Sequence, residues 1–255
     1  MSRRPLILLA NDDGFRAQGI NALRAALLPH ADVVVCAPDS EQSASSHSLS
    51  LHRPLRLTQH GDGIFSIDGT PADCVYTAFF AGTRILPRRP DLVLSGLNHG
   101  ANLGDDVFYS GTVAAAREGA LRGVPALALS AATDSDREAA AKEAARIGLA
   151  LFRAQPTGPL LLNVNIPPGA NWRCRATRLG GRFYTDEVEF RTDPRGREYL
   201  WLGGPGVEHR PAAGSDTEAY DAGEISITPL VLDLWARGAA EHAEQVVAEL
   251  TTAPG

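Results

Sequence analysis

The chain of 255 residues has only three cysteines, Cys36, Cys74 and Cys174. None lies at a zinc-ligand spacing, and an odd number gives no disulfide framework. Free thiols are expected, and reduced thiols fit a cytoplasmic compartment. Long apolar runs are missing too: none approaches the roughly 20 residues that span a bilayer. Met1-Ser2-Arg3-Arg4-Pro5 leaves no room for a signal peptide's apolar stretch, and the twin arginines lack the apolar region of an export address. Basic charge is in deficit. With 24 Lys and Arg against 30 Asp and Glu the net charge is −6, so there is no electrostatic footprint for duplex nucleic acid. A small anion stays possible, because a local nest or cation binds phosphate inside an acidic protein. Two nucleotide fingerprints are absent. No G-x-G-x-x-G follows the first strand, which disfavours a Rossmann oxidoreductase, and no G-x-x-x-x-G-K-[ST] occurs, which disfavours a P-loop NTPase.

What is present is globular: 44% hydrophobic and 21% charged residues, enough for one large α/β domain or two small ones. Leu6–Ala10, Val33–Ala37, Asp91–Ser95 and Ala126–Ser130 are short, continuous apolar runs that end in polar loops. Such runs read as strands buried on both faces. Gly19–Leu28 and Gly111–Arg122 read as helices between them, and Thr70 with Pro71 marks another helix start. Leu55–Ile67 reads as a hairpin, Asp134–Phe152 as a helix, Leu160–Ile166 and Ile225–Leu234 as strands, and Gly238–Leu250 as a terminal amphipathic helix. Alternating strands and helices predict an α/β fold, a Rossmann-like three-layer parallel sheet. Gly180–Gly223, rich in Gly, Pro, Arg and Asp with short aromatic pieces, is expected to form a C-terminal extended hairpin arm. No repeat or linker divides 1–255, so a single domain with an arm at 180–223 is expected.

Ligands bind at the carboxyl ends of the strands in such sheets, and the polar clusters fall there. Asp12 and Asp13 follow the first strand. Adjacent carboxylates there repel unless something positive lies beside them, although Asn11-Asp12-Asp13-Gly14 is also ordinary turn chemistry. Ser43 through Ser48 offers hydroxyls and His47 after the second strand; the ordinary reading is a flexible serine loop with a loop-anchoring histidine. Ser95 through Gly104 carries Asn98 and Asn102 on a glycine-rich connector after the third. Tyr109-Ser110-Gly111-Thr112 opens a helix, where a single hydroxyl suffices for a cap and two flanking a glycine favour an anion. Carboxylate, hydroxyl and amide oxygens suit Mg²⁺ or Mn²⁺ better than zinc. A cation beside a helix N-terminus points to phosphoryl chemistry.

These residues resemble a known family. Asn11-Asp12-Asp13-Gly14, Ala37-Pro38-Asp39, Ser43 through Ser48, Gly69 through Val75, Ser95 through Asn102 and Tyr109 through Val113 are similar, in order and spacing, to the SurE family of survival-protein 5′/3′-nucleotidases. Asn163 through Pro167, Gly214 through Thr217 and Ser226 through Leu230 extend the resemblance over nearly the whole chain. It implies one divalent cation per subunit, Mg²⁺ or Mn²⁺, held by Asp12, Asp13, Ser43 and Asn98. It implies a phosphate near Asn102, Ser110, Gly111 and Thr112. The implied activity is hydrolysis of nucleoside monophosphates, with short polyphosphate cleaved by some members. The implied assembly is a homodimer or homotetramer with exchanged C-terminal arms. Asp12 and Asp13 are the catalytic candidates, and the sequence leaves open which of them acts on the attacking water. Ala44 stands where many members have glycine, and His99 lies at a position the family varies. The competing reading is a non-catalytic nucleotide- or RNA-binding module, its arginines and aromatics stacking bases from the arm; the acidic net charge weighs against it.

Overall fold

The computed structural model describes residues 4–184, 188–202, 206–210 and 212–252. The apolar runs become strands where expected: β1 (Leu6–Ala10), β2 (Asp32–Pro38), β3 (Leu57–Gly61), β4 (Ile64–Ile67), β5 (Leu92–His99), β6 (Ala126–Ala131) and β7 (Leu161–Ile166). With β8 (Cys174–Ala176) and β13 (Ile225–Leu230) they form a nine-stranded sheet in the order β3-β4-β2-β1-β5-β6-β7-β13-β8. From β4 to β7 neighbouring strands are parallel, whereas β3 pairs antiparallel to β4 and β13 antiparallel to β7. The sheet is therefore mostly, not wholly, parallel.

Successive side chains of a strand face opposite ways, and β1 feeds two cores. Ile7 and Leu9 pack with Ile20, Leu23 and Leu27 of α1 (Gln18–Leu27) and with Ile147 and Leu151 of α5 (Arg137–Ala154). Leu6, Leu8 and Ala10 pack with Val75 and Ala78 of α2 (Pro71–Phe80) and with Val113 and Ala116 of α4 (Gly111–Leu121). The result is three layers. Thr70 caps α2 as expected, and Asp73 completes a capping box by accepting the Thr70 N–H. β1 lies between β2 and β5. The chain winds outward in both directions from this pair of neighbours, and their carboxyl ends flank the crevice where such sheets bind ligands.

The second half departs from the simple pattern. β5 runs on through Gly96, Leu97, Asn98 and His99, residues whose glycines read as a connector. A bulge between Ser95 and Asn98 lets the strand continue beside β6, and the Gly96–Leu97 peptide is cis. Gly96 has φ 138°, and a Cβ there would sit 2.2 Å from the Leu129 carbonyl oxygen. The arm is a nested hairpin: β9 (Gly181–Tyr184) pairs with β12 (Val207–Arg210), and β10 (Val188–Thr192) with β11 (Glu198–Leu202). Arm positions 185–187, 203–205 and 211 lie outside the described residues. The far end of the expected arm, 216–221, is instead the helix α6 (Asp216–Asp221), with Asp216, Thr217 and Ala219 buried in the body. Two further elements were too short to give a period: α3 (Asp106–Tyr109) and β8. The last helix is α7 (Ala240–Thr252). Among the described residues no helix is long and apolar enough to cross a membrane.

Candidate functional site

The tip of β1 is fixed from two sides. Asn11 donates its amide to the Gly14 carbonyl at 2.9 Å, closing the turn. The Gln42 N–H donates to the Asp12 carbonyl at 2.8 Å, and the Phe15 N–H to the Pro38 carbonyl at 2.9 Å. The Asn-Asp-Asp-Gly turn and the loop after β2 are thereby one unit, with Ser43 next in the chain after Gln42.

Asp12 is 5% exposed. Its carboxylate accepts the Thr112 hydroxyl and the Thr112 backbone N–H. The anion at the α4 N-terminus is thus Asp12 itself, where a free N–H and the helix dipole both favour negative charge. Burial still dominates and lifts its pKa from 3.8 to about 6, with Thr112 pulling down and Asp13 pushing up. Gly111 makes the approach possible: a Cβ there would lie 2.7 Å from the Asp12 Cβ. Ser110 caps α4 by accepting the Val113 N–H at 3.1 Å. Asp13 is half-buried, and burial raises its pKa as well. The His99 backbone N–H and the His99 and Arg137 side chains oppose that rise, and Glu41 adds to it.

The serine loop is pinned, not loose. Ser46 donates its N–H to Tyr109 at 3.0 Å and its hydroxyl to Phe108 at 2.7 Å, both carbonyls of α3. His47 Nε2 meets Glu118 Oε2 at 2.9 Å. Glu118 is buried on α4 and also binds Arg122. Burial pushes its carboxyl up, but His47 and Arg122 outweigh that and hold it below the ordinary value. Thr70 donates to the Ser48 carbonyl at 2.7 Å, and the Ser50 N–H to Asp73 at 2.9 Å. Ala44 and Ser46 adopt φ 57° and 51°. Glycine enters this region freely and alanine does so at a cost, a physical reason for glycine to be the common residue at position 44.

Asn98 sits on β5 and donates its amide to the Gly100 carbonyl at 2.8 Å. Asn102 is held from all sides. Its N–H donates to Asn165, its carbonyl accepts from Asn163 and Asn165, and its side-chain amide donates to Ser130 at 2.8 Å. Fully buried Asp216 accepts the Gly104 and Gly180 N–H groups, tying the loop after β5 to the start of the arm.

A hard cation needs oxygen lone pairs, and the donor chemistry here fits one. Asp12 and Asp13 supply two carboxylates whose burial is relieved by positive charge. Asn98 spends its N–H on Gly100, and Ser43 spends its hydroxyl hydrogen on Glu41 at 2.9 Å. Each then keeps oxygen lone pairs for a further partner. Among the described residues no group of three or more His, Cys, Asp or Glu side chains is placed to hold a metal, so a cation here would draw on serine and asparagine oxygens beside the two carboxylates. The sequence did not mark Glu118, the charge that ties the serine loop to α4. One signal was legible: a glutamate within the alanine-rich, otherwise mostly apolar sequence of that helix. Nor did it give a role to Asn163 and Asn165, whose alternation on a buried strand sends both amides to the same face.

The model of the family described as survival protein SurE matches residues 7–186. A protein of Sorangium cellulosum (strain So ce56) named 5′-nucleotidase SurE is 62% identical over 98% of this chain and 99% of its own length. One of Anaeromyxobacter dehalogenans (strain 2CP-C), with the same name, is 51% identical over 89% of this chain and 90% of its own. The crystal structure of the SurE protein from Aquifex aeolicus superposes with a TM-score of 0.82 at 37% identity, covering 95% of this chain and 99% of that one.

Proposed function

The chain belongs to the SurE family and is a 5′-nucleotidase, and we propose that it acts as a divalent-cation-dependent phosphomonoesterase in the cytoplasm. Its proposed substrates are nucleoside 5′- and 3′-monophosphates, cleaved to nucleoside and inorganic phosphate, and short polyphosphate. One juxtaposition carries the reading: a buried carboxylate, Asp12, lies against the first turn of α4 across Gly111 and Thr112. Asp12, Asp13, Ser43 and Asn98 are the proposed cation ligands, for Mg²⁺ or Mn²⁺. Asn102, Ser110, Gly111 and Thr112 are the proposed phosphate site. When bound, the cation supplies Lewis-acid polarisation of a phosphate oxygen and a lowered pKa for water.

The chain's own residues do the rest. The Thr112 and Val113 N–H groups are already taken by Asp12 and Ser110, so the Gly111 N–H is the first-turn donor proposed to stabilise charge on the equatorial phosphate oxygens. The asparagine clamp fixes Asn102, so that orientation is set before substrate arrives. Asp12 or Asp13 takes the proton of the attacking water. We further propose a homodimer or homotetramer that exchanges C-terminal arms.

The test is phosphate release from a panel of nucleoside monophosphates in EDTA, then Mg²⁺, then Mn²⁺. Release is expected only with a cation, and more from nucleotides than from a plain aryl phosphate. A folded sample that binds nucleotide yet releases nothing with either cation would leave a binding module. Asp13→Asn is expected to remove nearly all turnover while circular dichroism stays unchanged; near-normal activity would end the cation-site model.

A further inference from the structure

Outside the site above, the described residues enclose a cavity of about 420 Å³ beside the same sheet edge. That volume lies within the range of small-molecule pockets. Its walls come from the residues after β1, the end of β2 and the β3–β4 hairpin. Phe15 and His60 are stacked, with ring centres 3.9 Å apart and planes 21° from parallel. The Arg16 guanidinium lies over the same phenyl ring, 4.8 Å from its centre. His60 is oriented by Ser66, 2.7 Å from its Nε2. Asp39, Asp68 and Arg56 also line the cavity, and Asp68 accepts the Arg56 N–H at 2.7 Å and lies 3.5 Å from the Arg53 and Arg56 guanidiniums.

Resting on the nucleotidase reading, we propose that this cavity is the nucleobase subsite. Three observations support a base over a second phosphate. First, two arginines and two aspartates line the cavity, so their formal charges cancel and give an anion little net attraction. Second, a stacked pair beneath a guanidinium is a ready-made planar surface, and stacking is how proteins hold bases without covalent or ionic contact. Third, Asp39 brings an acceptor and Arg16 and Arg56 bring donors, so the lining can pair with the polar edge of a base. Position agrees with this. Phe15 is two residues beyond Asp13, and two residues span at most about 7 Å, a gap for a ribose to bridge between phosphate and base.

The experiment compares kcat/KM for AMP, UMP and ribose 5-phosphate, which lacks a base, in the wild type, Arg16→Ala, His60→Ala and His60→Phe. In the wild type AMP and UMP are both expected to exceed ribose 5-phosphate. In the two alanine variants the ratio of AMP to ribose 5-phosphate should fall about tenfold, mostly through KM. His60→Phe keeps a stacking face and should restore most of that ratio, which a merely structural role would not explain. Equal losses on AMP and ribose 5-phosphate, or no change in the ratio, would overturn the subsite while leaving the nucleotidase intact. A wild type that cleaves ribose 5-phosphate but no nucleotide would overturn the nucleotidase reading and the subsite with it.

Discussion

Asp12 keeps a carboxylate where water is excluded, and the sign of the consequence is fixed. Its pKa is about 6 in the fold against an ordinary 3.8. Between those values the folded chain binds a proton that the unfolded chain does not, so stability falls as pH rises from about 4 to about 6. At pH 7, without a cation, ionised Asp12 costs the fold about 3 kcal/mol. Asp12→Asn keeps an acceptor for Thr112 and removes the charge. It should therefore raise the melting temperature in EDTA at pH 7 by several degrees while nearly abolishing turnover, and the gain should shrink towards pH 4. A lower melting temperature at pH 7 would show that the charge is not a burden. Thr112→Val probes the same carboxylate from its partner. Losing a hydrogen bond to a charged group costs about 1.5 kcal/mol or more, so kcat/KM should drop about tenfold. Since Thr112 holds the Asp12 pKa down, the acidic limb of the pH–rate profile should move to higher pH; an unmoved limb would remove Thr112 from the site. The aspartate pair was legible in the sequence because two adjacent carboxylates after a buried strand demand a reason. The bond between positions 12 and 112 was not, since a hydroxyl at the start of a helix serves equally well as a cap.

At the scale of elements, the site depends on how closely α4 approaches the end of β1. Gly111 is the spacer: a methyl there would meet the Asp12 side chain at 2.7 Å and Pro71 at 3.0 Å. Gly111→Ala is therefore expected to displace the helix start from Asp12. The expected cost is about 1–3 kcal/mol of stability, with a more than tenfold loss of kcat/KM. A variant with full activity and an unchanged melting temperature would show that the contact is slack. The same helix carries Glu118, so one element anchors the serine loop near its end and Asp12 at its start. Which elements were legible follows from the same physics. The parallel strands announced themselves as unbroken apolar runs, because both faces are buried. The continuation of β5 did not, because Gly96 and Asn98 look like loop residues until the bulge beside β6 is seen. Nor did α6, whose six residues, Asp216–Asp221, show no helical period. Its burial depends on Asp216 pairing with backbone N–H groups from two distant loops.

Over the whole molecule, apolar surface is distributed unevenly. The two cores on either face of the sheet are closed, yet the hairpin shows Phe190 and Trp201 at 60% and 59% exposure. The C-terminal segment is similar: residues 241 to 251 are all exposed, including Val246, Val247 and Leu250. These three recur at the spacing of one helix face, the pattern of a helix that buries a stripe against something. Large contiguous apolar patches on a soluble chain mark contact surfaces. If the partner is a second copy, as the proposed assembly has it, two charges in that stripe should break it. Val246→Glu with Leu250→Glu leaves the sheet, the aspartates and α4 untouched, so the fold should persist with near-native circular dichroism. Light scattering should then report the mass of one chain where the wild type gives two or four. A wild type that already weighs one chain at micromolar concentration would remove the assembly. A double variant of unchanged mass would instead assign the contact to the hairpin, where Phe190→Glu with Trp201→Glu becomes the decisive pair.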